Sequence, residues 1–299
     1  MSLQASVQEE ILERLGNVGV TARQAVESIL SGRHRSVHRG LSVEFAGHRP
    51  YQPGDDLRHL DWKVFARTDR YDVRVYEEET RLRATIVVDC SGSMEYSSGG
   101  MTKLRYARML AAALGFLMVR QKDAVGMVLC DTEIREHLLP SSRMSNLWAM
   151  LDHLESAKPG GETSLADVLD TLADRCARHG LIIIITDAFD EVDRLVQSLK
   201  HLRFRKQEIR LYQICDPHEE TFPFGGMVEF VGMENEPRLR MDGDRIRSVY
   251  QEALAEHRRQ LAEGCHDVGV QFEPCRTDDD LAMVLIRTLS HLAVGGQRR

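Results

Sequence analysis

The feature that most constrains the fold is a regular alternation of apolar, β-branched runs with amphipathic segments from residue 84 onward. The runs at 84–88 and 181–185 are continuously apolar, which is typical of buried strands. Between such runs, apolar residues recur at helical spacing, as they do from 104 to 117. Near the end of the chain the pattern predicts a helix at 245–263 and a strand at 268–272. Strands that alternate with helices build a parallel sheet with helices on both faces. The sequence therefore predicts an α/β fold with a mostly parallel central sheet flanked by helices.

The sequence before residue 84 differs in character from the alternating region. We therefore divide the chain into an amino-terminal part with helices and a polar segment, an α/β domain and a tail, at 1–83, 84–294 and 295–299. The amino-terminal part begins with amphipathic helix patterns, of which one apolar face is formed by Ala25, Val26, Ile29 and Leu30. We expect this part to be a small appendage of the α/β domain.

Charge and hydropathy restrict what the protein binds and where it acts. With a formal net charge of −7 and a pI near 6.0, the chain lacks the basic excess of a general nucleic-acid binder. No apolar run approaches the roughly 20 residues that span a bilayer, and the first ten residues lack the pattern of a signal peptide. We therefore expect a cytoplasmic protein. The basic stretch at 33–39 is interpreted as a solvated loop or salt-bridge donor, with an anionic partner or a peripheral contact with membrane headgroups as the alternative.

A cluster of oxygen-bearing side chains follows the first strand of the alternating region. Asp89, Ser91 and Ser93 occupy every second position of the loop directly after it. Ligands in open α/β sheets bind beyond the carboxyl ends of the strands, and oxygen ligands suit a hard cation such as Mg²⁺. The alternative is a polar loop without metal, in which the two serines cap the next helix. Two later segments, Gly-Gly-Glu-Thr at 160–163 and the strand-like run ending in Thr-Asp at 181–187, favour the metal.

Together these segments resemble the metal-ion-dependent adhesion site (MIDAS) of von Willebrand factor type A domains, which have a Rossmann-like fold and bind proteins. The resemblance implies that Mg²⁺ or Mn²⁺ is held by hydroxyl and carboxylate groups of Asp89, Ser91, Ser93, Thr163 and Asp187. In type A domains the hydroxyls contact the metal directly, and the aspartates bind it directly or through water. Because Mg²⁺ readily keeps waters, such a shell leaves a position for a Glu or Asp side chain of a partner protein.

A second resemblance covers nearly the whole chain. The segment Arg-Pro-Tyr-Gln-Pro-Gly-Asp-Asp-Leu-Arg-His-Leu-Asp-Trp at 49–62, followed by Ala-Arg at 66–67, resembles the signature of domain-of-unknown-function family 58. Members of that family join such a segment to a type A domain. Asp-Pro-His-Glu at 216–219 resembles a further motif of the family, whereas Gly232 before Glu234 departs from it, since many members have Asp there. The resemblance implies an adaptor or co-chaperone that works with a MoxR-type AAA+ ATPase.

The polar signature segment has two interpretations. Pro-Gly-Asp at 53–55 consists of residues that favour a turn. We expect charge-assisted hydrogen bonds to fix the segment against the α/β domain, with two aromatic anchors; the residues concerned are Asp55, Asp56, Arg58, Asp61, Arg67, Trp62 and Phe65. A second functional site in this segment is the alternative.

Motifs of catalysis are missing from the sequence around the proposed metal loop. An aspartyl nucleophile after a strand usually needs a second carboxylate two residues on, and here that residue is Ser91. The chain contains neither a Gly-x-Ser-x-Gly elbow, nor a Walker-type phosphate loop, nor a His-Glu-x-x-His motif. Cys90 is expected to point away from the loop, so its thiol is not favoured as a nucleophile. We therefore expect a metal-dependent protein-binding module and not an enzyme, with a metal-dependent hydrolase and a structural module with a vestigial site as the alternatives.

Overall fold

The computed structural model describes residues 20–30, 47–50, 71–75, 82–162, 164–177, 179–234 and 238–295. The basic stretch at 33–39, the signature residues between 51 and 70, and Thr163 lie outside the described residues. The expectations for these residues therefore stay predictions.

The described strands are β1 Gly47–Pro50, β2 Asp72–Val75, β3 Arg83–Asp89, β4 Ala124–Cys130, β5 Ile134–Ser141, β6 Gly180–Thr186, β7 Gln207–Cys215, β8 Met227–Phe230, β9 Leu239–Asp242 and β10 Gln271–Arg276. The described α-helices are α1 Val20–Leu30, α2 Lys103–Arg120, α3 Met144–Ser156, α4 Leu165–Arg175, α5 Val192–Phe204, α6 Pro217–Thr221, α7 Gly243–Asp267 and α8 Leu281–Gly295. A short 3-10 helix lies at Gly92–Glu95. None of these described helices has the length and hydropathy that a membrane span requires.

The central sheet has six strands in the order β10-β7-β6-β3-β4-β5. Neighbouring strands are parallel, except that β5 pairs antiparallel with β4 at one edge. When these strands are numbered along the chain, their order is the doubly wound arrangement, in which the winding direction reverses between β3 and β6. The predicted α/β fold with a mostly parallel sheet flanked by helices is confirmed. Its topology places the expected ligand site at the carboxyl ends of β3 and β6.

Both faces of the sheet are covered, because alternate residues of each central strand point to opposite sides. Ile86 of β3 and Ile183 of β6 belong to a buried apolar cluster that includes residues of α1, α2, α3 and α8. Val87 and Ile184 belong to a second cluster on the other face, with residues of α4, α5 and α7. The apolar residues of the strands are thus occupied in packing, and the strand ends are left to carry polar groups.

Helix α1 is part of the first cluster. It packs against α2 and α8, and Ala22, Ala25, Val26 and Ile29 are at most 5% exposed. Of the apolar face expected at 25–30, Ala25, Val26 and Ile29 are therefore buried against the helices that cover the sheet.

The boundary between α7 and β10 differs from the sequence prediction, which placed a helix at 245–263 and a strand at 268–272. The helix extends further, and Val268 forms its cap. Gly269 follows with a φ of 72°, the left-handed conformation that commonly ends helices. Pairing with β7 begins only at Gln271. The apolar residues that indicated a strand start belong instead to the turn between helix and strand.

Candidate metal centre

Two buried carboxylates meet at the ends of neighbouring parallel strands. Asp89 is the last residue of β3, and Asp187 follows β6 directly. The two strands are paired in register, with Val88 opposite Ile185. Consequently, both carboxyl groups lie at the same edge of the sheet, where they are 1% and 0% exposed. This edge is the point at which the winding of the sheet reverses.

The Asp89 carboxylate accepts two hydrogen bonds and is buried close to the negative charge of Asp187. Its Oδ1 accepts a hydrogen bond from the Ser91 backbone N at 2.8 Å, and its Oδ2 accepts one from the Thr186 hydroxyl at 2.7 Å. Burial, together with the negative charge of Asp187, raises the pKa of Asp89 to about 7, although these hydrogen bonds act to lower it. A cation between the two carboxylates would favour their charged forms.

The two serines lie beside Asp89, and Ser91 is the N-cap residue of the 3-10 helix without a side-chain cap. The hydroxyl oxygens of Ser91 and Ser93 are 3.1 Å apart, and Ser91 is buried whereas Ser93 is partly buried. The Ser91 side chain makes no capping hydrogen bond to the 3-10 helix that follows it. Helix α2 is capped by Thr102 instead, whose hydroxyl accepts a hydrogen bond from the Arg105 backbone N. The capping interpretation of Ser91 and Ser93 is therefore not supported, and their hydroxyls converge on the site.

Among the described residues, one oxygen of the Asp187 carboxylate accepts a hydrogen bond and the other has no partner. Its Oδ2 accepts a hydrogen bond from the Lys103 ammonium at 2.7 Å. Its Oδ1 is buried and has no hydrogen-bond partner among the described residues. Because leaving a buried carboxylate oxygen unpaired is costly, this atom marks a place where a ligand such as a metal ion or its bound water would be stabilising.

Lys103 is a fully buried ammonium that the sequence analysis missed. It begins α2, is 1% exposed and also donates a hydrogen bond to Glu219 Oε1 at 2.8 Å. Burial acts to lower the pKa of Lys103, but the charges of Asp187 and Glu219 outweigh it and raise that pKa, so the group stays charged. The Phe189 ring lies 5.0 Å from the ammonium and adds a cation–π contact. A lysine at the start of an apolar helix gives no signal of such pairing in the sequence.

Glu219 ties the Asp-Pro-His-Glu motif to the site. Its Oε2 accepts a hydrogen bond from the Asp216 backbone N at 2.7 Å, and the Asp216 side chain in turn accepts from the Glu219 backbone, which together form a capping box at α6. The cap fixes the Glu219 carboxylate, so that its other oxygen is presented to Lys103. The motif therefore positions a counter-charge for the buried lysine.

The loop before Thr163 lies against the serine loop. The Gly160 N donates to the Cys90 O, and the Gly92 N donates to the Gly161 O, each at 3.0 Å. Gly161 has a φ of 78°, and a side-chain Cβ there would come within 2.6 Å of an Asp131 carboxylate oxygen. Glycine is thus needed for this approach. Thr163 itself lies outside the described part of the chain, so its place at the site stays a prediction.

The described residues fit a divalent cation with oxygen ligands. Among them, no group of three or more His, Cys, Asp or Glu side chains is placed to hold a metal, so the candidate set depends on two carboxylates and serine hydroxyls. Such a set suits Mg²⁺ or Mn²⁺ and not a soft metal. When all are ionised, the carboxylates of Asp89, Asp187 and Glu219 exceed the Lys103 ammonium by two negative charges, which one divalent cation would neutralise.

Replacing Lys103 by Met tests the charge balance of this site. The substitution leaves the buried Asp187 and Glu219 carboxylates without their counter-charge, so we expect the free energy of unfolding to fall by about 3–5 kcal/mol in EDTA. Urea denaturation measures this loss. Lys200→Met is the matched control, because Lys200 is exposed on α5, and it should change stability by no more than about 0.5 kcal/mol. Equal urea midpoints for the Lys103→Met variant and the wild type would contradict the pairing.

Comparison with known proteins finds similar sequences and similar solved structures. Over 277 residues the chain is 26% identical to the uncharacterized protein Mb1516 of Mycobacterium bovis. This alignment covers 91% of this chain and 87% of the Mycobacterium bovis protein. The solved structure of BatB from Bacteroides thetaiotaomicron aligns with 71% of this chain and 98% of its own at 14% identity and a TM-score of 0.47. The SpRpn10 VWA domain aligns with 68% of this chain and 94% of its own at 8% identity and a TM-score of 0.38.

The family assignment comes from the sequence match. Residues 47–260, well over half of the chain, match the family described as "Protein of unknown function DUF58". The strand order of the central sheet, more than any single alignment, carries the fold assignment. The chain belongs to the DUF58 family, and its α/β domain has a doubly wound, mostly parallel sheet.

Proposed function

We propose that this protein is a metal-dependent protein-binding module. Asp89, Ser91, Ser93, Thr163 and Asp187 would hold one Mg²⁺ or Mn²⁺ ion. When bound, the ion offers a coordination position to a carboxylate oxygen of a partner protein. The proposed partner system is a MoxR-type AAA+ ATPase in the cytoplasm, for which this chain would act as an adaptor or co-chaperone. Membership of the DUF58 family supports the adaptor role, and the geometry of the site supports the binding chemistry.

The observation that carries the proposal is the Oδ1 of Asp187 at the end of the sheet, which has no hydrogen-bond partner in the described part of the chain. This oxygen is fully buried, and it shares the site with a second buried carboxylate, Asp89, whose charge it repels. In a polar loop that binds no ligand, two buried carboxylates that repel each other would only destabilise the fold. A bound cation satisfies the unpaired oxygen and converts the repulsion between the carboxylates into attraction to a common charge.

Binding is proposed over catalysis because the candidate nucleophiles are unsuited to attack. Burial, together with the Asp89 charge, raises the pKa of the Cys90 thiol to about 12, so it stays protonated near neutral pH. Both oxygens of Asp89 already accept hydrogen bonds, from Ser91 and Thr186. These contacts fix the carboxylate as a ligand and reduce its availability as a nucleophile.

A structural module with a vestigial metal site is the second candidate, and one observation favours it. The Lys103 ammonium already lies 2.7 Å from Asp187 Oδ2, so part of the negative charge is balanced without any metal. This candidate leaves the second oxygen of Asp187 unexplained. Metal titration and partner binding separate the two candidates.

A metal titration tests the site directly. Calorimetric titration with Mg²⁺ or Mn²⁺ up to millimolar concentration should show a single site in the wild type, and Asp89→Asn should abolish it by removing a carboxylate charge while keeping side-chain size. Asp193→Asn is the control, because Asp193 is exposed in the first turn of α5, and it should bind as the wild type does. An absence of binding in the wild type, or unchanged binding in a folded Asp89→Asn protein, would refute the metal assignment.

Partner binding tests the use of the metal. Immobilised protein should retain a MoxR-type ATPase in the presence of Mg²⁺, and EDTA or Asp89→Asn should weaken binding at least about thirtyfold, since losing one side of a buried charged contact costs about 2–5 kcal/mol. Undiminished binding in EDTA would favour the structural module. Metal-dependent turnover of a phosphoester or acyl substrate by the protein alone would favour the hydrolase.

A further inference from the structure

A cavity lies at the end of the sheet opposite to the candidate metal centre. Arg83, Gly180 and Gln207 begin β3, β6 and β7, and all three residues line it. Asp89 ends β3 and Asp187 follows β6, so the candidate metal ligands lie at the other ends of the same strands. The cavity has a volume of about 140 Å³, which is enough for several water molecules or one small anion. It is therefore a second concave site on the same sheet.

Four basic side chains line this cavity. Arg83 and His137 come from β3 and β5, whereas Arg175 ends α4 and His179 lies in the turn from α4 to β6. His137 is half-buried, and the other three are exposed. The lining contains no Asp or Glu, and all of its residues belong to the described part of the chain. Since the chain as a whole has a net charge of −7, this concentration of basic groups is local.

The basic groups of the cavity are not used in pairing. Within the described ranges, none of these four side chains forms an ion pair or a hydrogen bond. By contrast, Arg258 and Arg276 both pair with Glu220. An arginine carries five N–H donors in a planar fork that matches a phosphate or a carboxylate. Arg83 and Arg175 therefore keep their donors available for a ligand.

The end of α4 is stabilised without these side chains. The Arg205 guanidinium donates hydrogen bonds to the carbonyl oxygens of Asp174 and Cys176 at 3.5 and 3.4 Å. The Gln207 side chain donates one to the Ala177 carbonyl oxygen at 2.6 Å. The negative end of a helix dipole attracts cations and repels anions, and here another guanidinium offsets it. The basic groups that line the cavity are thus not needed as helix caps.

The cavity disfavours a further positive charge. Burial, together with the charge of Arg175, lowers the pKa of His137 below its usual value. An anion in the cavity would attract both groups and would replace repulsion by attraction to a common charge. A phosphate group suits such a lining, because it carries close to two negative charges and three strong acceptor oxygens near neutral pH.

We propose that this cavity binds a phosphate group, which Arg83 and Arg175 hold by charge-assisted hydrogen bonds and to which His137 and His179 donate their ring N–H groups. Arginine is the side chain favoured for phosphate recognition, since its fork gives both charge and direction. The ligand is inorganic phosphate or the phosphate group of a small organic molecule. The site needs no metal, so the inference goes beyond the proposed function and does not depend on it.

Calorimetric titration of the full chain with inorganic phosphate in EDTA tests the site. We expect one site in the wild type at millimolar phosphate. Arg83→Gln and Arg175→Gln each remove one charge from the lining, and each should weaken binding at least about tenfold, which is the scale of losing one charge-assisted hydrogen bond. Arg175→Lys keeps the charge without the planar fork and should fall between the wild type and Arg175→Gln.

Arg240→Gln is the matched control. Arg240 is exposed on β9 and lies outside the cavity lining, so this variant has the same change in net charge and should bind phosphate as the wild type does. Phenyl phosphate, titrated in the same way, distinguishes the two sources of the phosphate group. Tighter binding than inorganic phosphate, lost in the Arg83 and Arg175 variants, indicates an organic phosphate; equal or weaker binding indicates the free ion.

Two results would overturn the proposal. One is an absence of binding of either probe to the wild type at millimolar concentration. The other is equal weakening by Arg175→Gln and Arg240→Gln, which would show a general attraction to positive charge instead of a site. Because every titration contains EDTA, both results are independent of whether the candidate metal centre binds a cation.

Discussion

The repulsion between two buried carboxylates at the centre of the sheet is the constraint on which the rest of the site depends. Asp89 and Asp187 are brought together because β3 and β6 are parallel neighbours in register. The sheet cannot separate them without losing the pairing that builds its core. The hydrogen bonds from Thr186 to Asp89 and from Lys103 to Asp187 stabilise these two charges.

The buried lysine explains how the fold tolerates this arrangement. Lys103 joins Asp187 to Glu219, and the helix cap at α6 holds Glu219 in place. One ammonium offsets only part of the negative charge, so the site remains stable enough to fold and still electrostatically prepared for a divalent cation. Because Glu219 lies in α6, which follows β7, its ion pair with Lys103 also connects the end of β7 to the proposed metal position.

The sequence predicted the parts of the site that depend on local pattern. Apolar runs predicted β3 and β6, and the motifs after them marked Asp89 and Asp187 as candidate ligands, whereas their position at one edge of the sheet follows from the pairing of the two strands. Lys103 was not predicted, because its contact with Asp187 joins positions 84 residues apart, and no short motif encodes such pairing. The same limit applied to the end of α7, where valines at 268 and 270 indicated a strand but belong to the turn before β10. Glu219 was recognised within a motif, but its role as a counter-charge required the three-dimensional structure.

The most direct test of the account is the anomalous scattering of Mn²⁺ in crystals of the full chain grown or soaked with the metal at millimolar concentration. The account predicts an anomalous peak bordered by the Asp89 carboxylate, the hydroxyls of Ser91 and Ser93, and Asp187, with the Lys103 ammonium still paired to Glu219. A difference map without a peak at this edge of the sheet, in crystals where Mn²⁺ is present in the solvent, would contradict the central claim that these residues form a metal centre.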